Sequence, residues 1–423
     1  MQILYFHQHF VGPAGTSGGR SYEFGRRLVA RGHRVTLITG AFEHSGLVTQ
    51  GRRAAVNVDG IDVRVLGVPY GQGMSPTRRL RAFAGFALAA CRASQRVRDV
   101  DVVFATSTPL TIAVPGMWAA RWHRCPFVFE VRDLWPAAPI ELGVLRNPLL
   151  IALARGLERL AYRRAVHIVA LSPGMRDGIV AAGVPPGKVT VIPNASDVEL
   201  FRVPASVGAA YRAELGELGR RPWVVYTGTF GRVNGVDWAV RLAACVARRN
   251  SEIAFLFFGA GSERGLAESL ARELNLLGRT VFFFAPRGRS KLPPVLSAAT
   301  MLSSLAQDLP VMRTNSANKF FDAFAAGKPV VINYGGWQAE LLERTGAGLV
   351  LDQSDIPGSA QRLVAALRDP EWLHRAATAA ALLGDVDFNR DRLAGQLEVV
   401  LRRAVAGRAA TGGAAAGTWS KAQ

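Results

Sequence analysis

Cysteine is scarce: Cys91, Cys125 and Cys245 are the three in 423 residues, far apart and in no CxxC pair. That excludes a disulfide framework and a thiolate metal site, and it fits a reducing compartment. Long apolar runs are also missing. The longest candidates, 82–91 and 149–154, fall short of the ~20 residues a spanning helix needs. Residues 1–7 have no basic leader region and no small-residue cleavage site, so they read as a first strand rather than a signal peptide. Acidic residues are outnumbered, 32 against 51 basic, for a net charge of +19. Lysine is rare within that excess: Lys188, Lys291, Lys319, Lys328 and Lys421 are the whole set, and the rest is arginine. Such a balance suits an anionic partner, whether a phosphorylated ligand, an acidic lipid surface or nucleic acid. The zinc spacings, RNP-like strands and basic dimerising helices of nucleic-acid binders are absent, so nucleic acid is not expected.

What is present is 49% hydrophobic residues in an alternating rhythm. This excludes a disordered chain, and the length suits two domains of about 200 residues. Short β-rich runs at 2–6, 34–39, 62–66, 101–105, 127–131, 167–171 and 189–192 are separated by helical stretches at 19–31, 77–98, 110–122, 148–164 and 173–182. Strands spaced by helices predict βα units and a parallel sheet. A polar, proline-marked stretch near 194–205 interrupts the pattern, which restarts with strands at 223–227, 253–258, 281–284, 301–304, 330–333 and 348–351. The expectation is α/β: an N-terminal doubly wound domain over 1–200, a second over 201–385, a helix over 386–405 that can return to the first domain, and an Ala/Gly-rich disordered tail over 406–423. Ligands of such sheets bind beyond the carboxyl ends of the strands, so the expected site is a cleft faced by both domains.

Four segments carry candidate chemistry. Gly12–Arg20 is a glycine-rich loop between the first strand and the first helix, and Gly18 and Gly19 bring backbone amides to a ligand. Its spacing does not match a dinucleotide fingerprint. Glu130, Arg132 and Asp133 follow an apolar strand, which places a base, an orienting group or an anion partner at its carboxyl end. Gly228 and Arg232 lie in the loop after the first strand of the second domain. Asn318, Lys319 and Asp322 open a helix that Gly327 and Pro329 end. A cation in the first turn opposes the helix dipole, and a bound diphosphate would offset that cost, while Asp322 three residues on could accept ribose hydroxyls.

Taken together, Ile3-Leu4-Tyr5-Phe6 with Gly18-Gly19, Arg31-Gly32-His33-Arg34-Val35, Glu130 to Pro136, Val191 to Asn194, Phe258 to Gly261, and Asn318 to Asp322 running to Pro329 resemble GT-B-fold retaining glycosyltransferases of the family 4 type. The resemblance covers the chain to about residue 405 and is closest to the bacterial N-acetyl-L-fucosamine transferase-like branch. It implies two Rossmann-like domains around a cleft. It also implies a nucleotide-sugar donor, UDP by analogy with the branch, and a glycan or polyprenyl-diphosphate-linked acceptor of cell-surface polysaccharide synthesis. No cofactor and no metal are implied.

The matching positions make Asp133, Arg132 and Glu130 candidate catalytic groups, with Gly18, Gly19, Gly228, Arg232, Asn318, Lys319 and Asp322 on the donor. The chain departs from the family pattern in places. Thr314 stands where a first glutamate is usual, Thr229 and Asn234 where an arginine and a lysine usually meet the diphosphate, and Arg132 where a histidine is common. Those departures keep a non-catalytic sugar-nucleotide binder open as an alternative, beside an epimerase or phosphorylase of the same fold. Residues 77–88, with Arg78, Arg79 and Arg81 beside Phe83 and Phe86, read as an interfacial helix, which suggests a cytoplasmic protein held at the inner face of the membrane.

Overall fold

The first strand, β1 (Gln2–Phe6), is buried along its whole length. The computed structural model describes residues 1–13, 15, 19–42, 45–47, 53–71 and 74–416. Around β1 lie β2 (Arg34–Phe42), β3 (Arg53–Val58), β4 (Ile61–Tyr70), β5 (Val102–Thr106), β6 (Phe127–Val131), β7 (His167–Ala170) and β8 (Val189–Val191). They form one sheet in the order β3-β4-β2-β1-β5-β6-β7-β8, parallel except for the β3–β4 pair. Strands such as Val102-Val103-Phe104 read as continuous apolar runs because helices cover both faces, and each buried large side chain contributes about 1.5–3 kcal/mol. The Pro148–Arg164 helix starts where sequence places it: Pro148 occupies the first turn and the Asn147 side chain accepts from Leu149 and Leu150 amides.

The second sheet holds β9 (Trp223–Thr227), β10 (Ala254–Phe258), β11 (Val281–Phe284), β12 (Met301–Ser304), β13 (Val330–Ile332) and β14 (Gly348–Val350), in the order β11-β10-β9-β12-β13-β14, with every pairing parallel. The chain divides into two compact units, Met1–Pro193 with Leu393–Gln423, and Asn194–Arg392. The last helix, Arg390–Ala416, therefore belongs for most of its length to the first unit, where Leu393, Ala394, Leu397 and Leu401 are buried.

Three expectations change. Strand β3 was not foreseen. It pairs with β4 through Asp59-Gly60, both at positive φ, a two-residue hairpin turn whose Asp-Gly signal was present in the sequence. The last helix runs to Ala416 rather than ending near 405, in keeping with the helix propensity of its alanines; residues 417–423 lie outside the described residues. The 77–88 segment forms part of the Pro76–Ser94 helix, but Phe86 is buried in the core and Phe83 stacks on Tyr70 at 5.6 Å. Its aromatic residues thus serve the protein interior, and solvent meets Leu80, Leu88 and arginines instead.

Candidate functional site

In both units the candidate residues gather at carboxyl ends of strands, where strand order reverses. In the first unit the reversal lies between β1 and β5, which are neighbours although β2 follows β1 in the chain. His7 follows β1, Ser107 and Thr108 follow β5, and Arg132 and Asp133 follow β6. The Arg132 amide donates to Ser107 Oγ at 3.0 Å and its guanidinium donates to His7 Nε2 at 3.3 Å. Burial, and then the Arg132 charge, push His7 well below the ordinary imidazole range, so it is neutral at neutral pH. Its Nδ1 is buried without a partner among the described residues. His9, against Tyr70, is lowered to about 4 by burial and by Arg132. Thr108 Oγ1 donates to Asp133 Oδ2 at 3.2 Å. Loss of hydration raises the Asp133 pKa from its ordinary value, and Arg132 and Thr108 hold it back, although the side chain still reaches solvent.

Glu130 stands differently from the free carboxylate expected of a catalytic group. It is fully buried. One oxygen takes two hydrogen bonds from Arg20, at 3.0 and 2.9 Å, and the other accepts from Thr106. Arg20 also donates to the carbonyls of Ile192 and Pro193. Glu130 thus ties the first helix, β5, β6 and the end of the unit together, a scaffold that a charged group in the core must have to be tolerated. Gly19 precedes that helix at its N-terminus; Gly18 lies outside the described residues.

In the second unit the reversal lies between β9 and β12. Gly228 follows β9 at φ +150°, a conformation that favours glycine, and an added Cβ would come within 3.5 Å of Lys319 Nζ. Gly259, after β10, packs so close to this loop that a Cβ would strike the Gly228 carbonyl. Lys319 lies in the first turn of the Asn318–Ala325 helix. Its Nζ donates to the Tyr226 hydroxyl at 2.8 Å and sits 4.3 Å from that ring's centroid, and Tyr226 donates on to the Thr229 carbonyl at 2.7 Å. Desolvation brings the Lys319 pKa down to about 7. Among the described residues no carboxylate pairs with it. Arg232 is exposed in the same loop, and Asn318 is half-buried beside Lys319.

Asp322 is not the open ribose acceptor the sequence suggested. It is buried and takes a two-pronged hydrogen bond from Arg289, at 3.3 and 3.0 Å, and Arg289 also faces Asp197 at 3.7 Å. Desolvation raises the Asp322 pKa while Arg289 lowers it. The sequence reading missed Arg289 and His7. Each had a signal: Arg287-Gly288-Arg289 follows β11 after Ala285-Pro286, and His7-Gln8-His9 directly follows β1.

Residues 15–195 match the family model described as a glycosyl transferase 4-like domain, and residues 221–369 match the one described as glycosyl transferases group 1. Among curated relatives, alpha-D-kanosaminyltransferase of Streptomyces kanamyceticus is 25% identical over 257 residues, 59% of this chain and 64% of its own. The chain spans less than two thirds of the length of the curated relatives it matches. Sucrose-phosphate synthase from Thermosynechococcus elongatus superposes with a TM-score of 0.75 at 18% identity, over 96% of this chain and 99% of that one. Anabaena HepE in complex with UDP and glucose gives 0.67 at 18% identity, over 95% and 100%. The two units thus match two glycosyl transferase domain models in turn, and their parallel-sheet Rossmann-like architecture is the GT-B fold.

Proposed function

We propose that this protein is a retaining glycosyltransferase that moves a sugar from a UDP-sugar donor to a glycan or lipid-linked glycan acceptor in cell-surface polysaccharide synthesis. An N-acetylated hexosamine or deoxyhexosamine is the proposed sugar, from the sequence resemblance. The observation that carries the reading is Lys319: a desolvated ammonium with no counter-anion among the described residues, opposed to its helix dipole and aimed beside the Gly228 backbone. A diphosphate supplies the missing charge. The UDP bound to the HepE neighbour supports the same donor class.

In this mechanism the bond between the anomeric carbon and the diphosphate oxygen breaks, and Lys319 with Arg232 stabilises the negative charge that builds on the leaving oxygens. A protonated lysine in a desolvated site does this better than one in water, because the field it exerts is less screened. Asp133 accepts the proton of the acceptor hydroxyl, and Thr108 and Arg132 hold its carboxylate in place. The neutral His7 imidazole positions Arg132. Glu130 is a positioning residue, since both its oxygens are engaged. The chemistry is proposed to need no metal, and chelator-treated enzyme should then retain its turnover.

A thermal-shift series with UDP, GDP and their sugars tests the donor, because a ligand of the folded state stabilises it by mass action. Stabilisation by UDP that disappears in Lys319→Met supports the reading. Absence of any shift with nucleotide diphosphates would overturn it. Conversion of donor without acceptor would instead mark an epimerase, and binding without turnover a non-catalytic binder.

A further inference from the structure

At the opposite ends of β6 and β7 from Asp133, the first unit contains a cavity of about 700 Å³. Phe127, Val166, Met117, Ala120, Pro126 and Val400 give it an apolar lining. Arg121, Arg124, Arg164, Arg403 and Arg408 line it as well, with His167, and no acidic residue does. The arginines converge from three directions: the end of the Ala113–Trp122 helix and the turn after it, the end of the Pro148–Arg164 helix, and the Arg390–Ala416 helix. On the last of these, Val400, Arg403, Ala404, Gly407 and Arg408 recur at helical spacing on one face.

The ends of helices attract cations, which accounts for Arg121 and Arg164. That effect does not reach Arg124, Arg403 or Arg408, and it does not hollow out a cavity. Arg121, Arg124, Arg164 and Arg403 have no ion pair among the described residues. Asp101, whose charge reaches Cys125 in the cavity wall, is turned to the Gln2 amide at 2.7 Å. On the Ala113–Trp122 helix, which supplies Met117, Ala120 and Arg121 to the cavity, Trp118 and Trp122 are exposed and stacked on each other at 6.5 Å, and Val166 of the lining is half exposed.

We infer that this cavity is a second binding site, separate from the donor site, for a phosphorylated ligand that carries an apolar portion. Its guanidinium groups would take the phosphate by charge-assisted hydrogen bonds while the apolar lining and the tryptophan pair take the rest. The headgroup region of an anionic phospholipid and a soluble phosphate ester share that chemistry.

Met117 provides a reporter in the wall, one of six methionines. In the full chain labelled with [methyl-13C]methionine, its signal, assigned with Met117→Leu, is followed during titration. The probes are inorganic pyrophosphate, dihexanoylphosphatidylglycerol below its micellar concentration, and the zwitterionic phosphatidylcholine analogue. Saturable movement is expected with the anionic probes, and binding weakened about tenfold or more in Arg124→Glu with Arg403→Glu. Tighter binding of the phosphatidylglycerol assigns the lipid source; equal binding of pyrophosphate assigns the soluble one. No movement with either anion, equal movement with phosphatidylcholine, or an unchanged response in the double variant would overturn the inference. The milder pair Arg164→Gln with Arg403→Gln serves if the reversal of charge disturbs folding. Because the UDP-dependent thermal shift is read on the same samples, failure here leaves the donor reading separately decided.

Discussion

Glu130 in the first unit is fully buried and Lys319 in the second is half-buried; both lose hydration, and the protein treats them in opposite ways. Glu130 is given its counter-ion, Arg20, and a hydroxyl donor, Thr106, so its charge is consumed in holding the unit together. Lys319 is given a phenol and a ring face, which stabilise a cation weakly, and no carboxylate among the described residues. The difference teaches that proximity to a strand's carboxyl end is insufficient to assign a role. A buried charge that is already compensated belongs to the scaffold, and one left uncompensated is available to a ligand.

The comparison breaks first at Glu130. Glu130→Ala leaves Arg20 buried without its partner, and chemical denaturation should show a loss of about 3–5 kcal/mol. A loss below about 1 kcal/mol would show that the pair does not carry the scaffold. Lys319→Met should behave in the reverse manner: turnover falls about 10²–10³-fold, while stability is unchanged or rises by ~1 kcal/mol because a penalised charge has gone.

Asp133→Asn should lower turnover by about 10²–10⁴-fold and leave the UDP-induced thermal shift intact, separating acceptor activation from donor binding. Full turnover in that variant would remove Asp133 from the mechanism.

The Lys319 pKa of about 7 makes a finer test. Its folded value lies below its unfolded value, so the unfolded chain binds more protons between about pH 7 and pH 10, and this group's contribution to stability rises with pH across that window. Donor affinity should move the other way, falling as pH climbs through 7 and the ammonium is lost. Lys319→Arg should flatten that profile. Arg232→Ala should have the smallest effect, about 1 kcal/mol or less in donor binding by titration, because the side chain is exposed.

Much of this was legible beforehand. The bounds of β1, β6, β9, β11 and β12 agree with the sequence reading because each is a short β-prone segment between turn signals, apolar for most of its length except in β12, where Ser303 and Ser304 follow Met301-Leu302. Helix starts were readable where proline and a capping residue mark them, as at Asn147-Pro148 and Ser172-Pro173. β3 escaped because an antiparallel edge strand joined to β4 by a two-residue turn, with no helix between, breaks the βα rhythm. Phe83 and Phe86 misled for a related reason: a helix written as arginines and aromatics reads as interfacial until its inward face is known.

Composition and periodicity therefore determined the class of fold, two parallel sheets wound with helices, because apolar runs and their spacing are local properties of a chain. Local sequence also placed Asp133, Gly228 and Lys319 at the ends of the right elements. Only the tertiary structure decided which charges were already spent. Arg20 meets Glu130 across 110 residues, Arg289 meets Asp322 across 33, and Lys319 meets Tyr226 across 93. The balance of desolvation against pairing is set by such distant neighbours, and no window of sequence contains them.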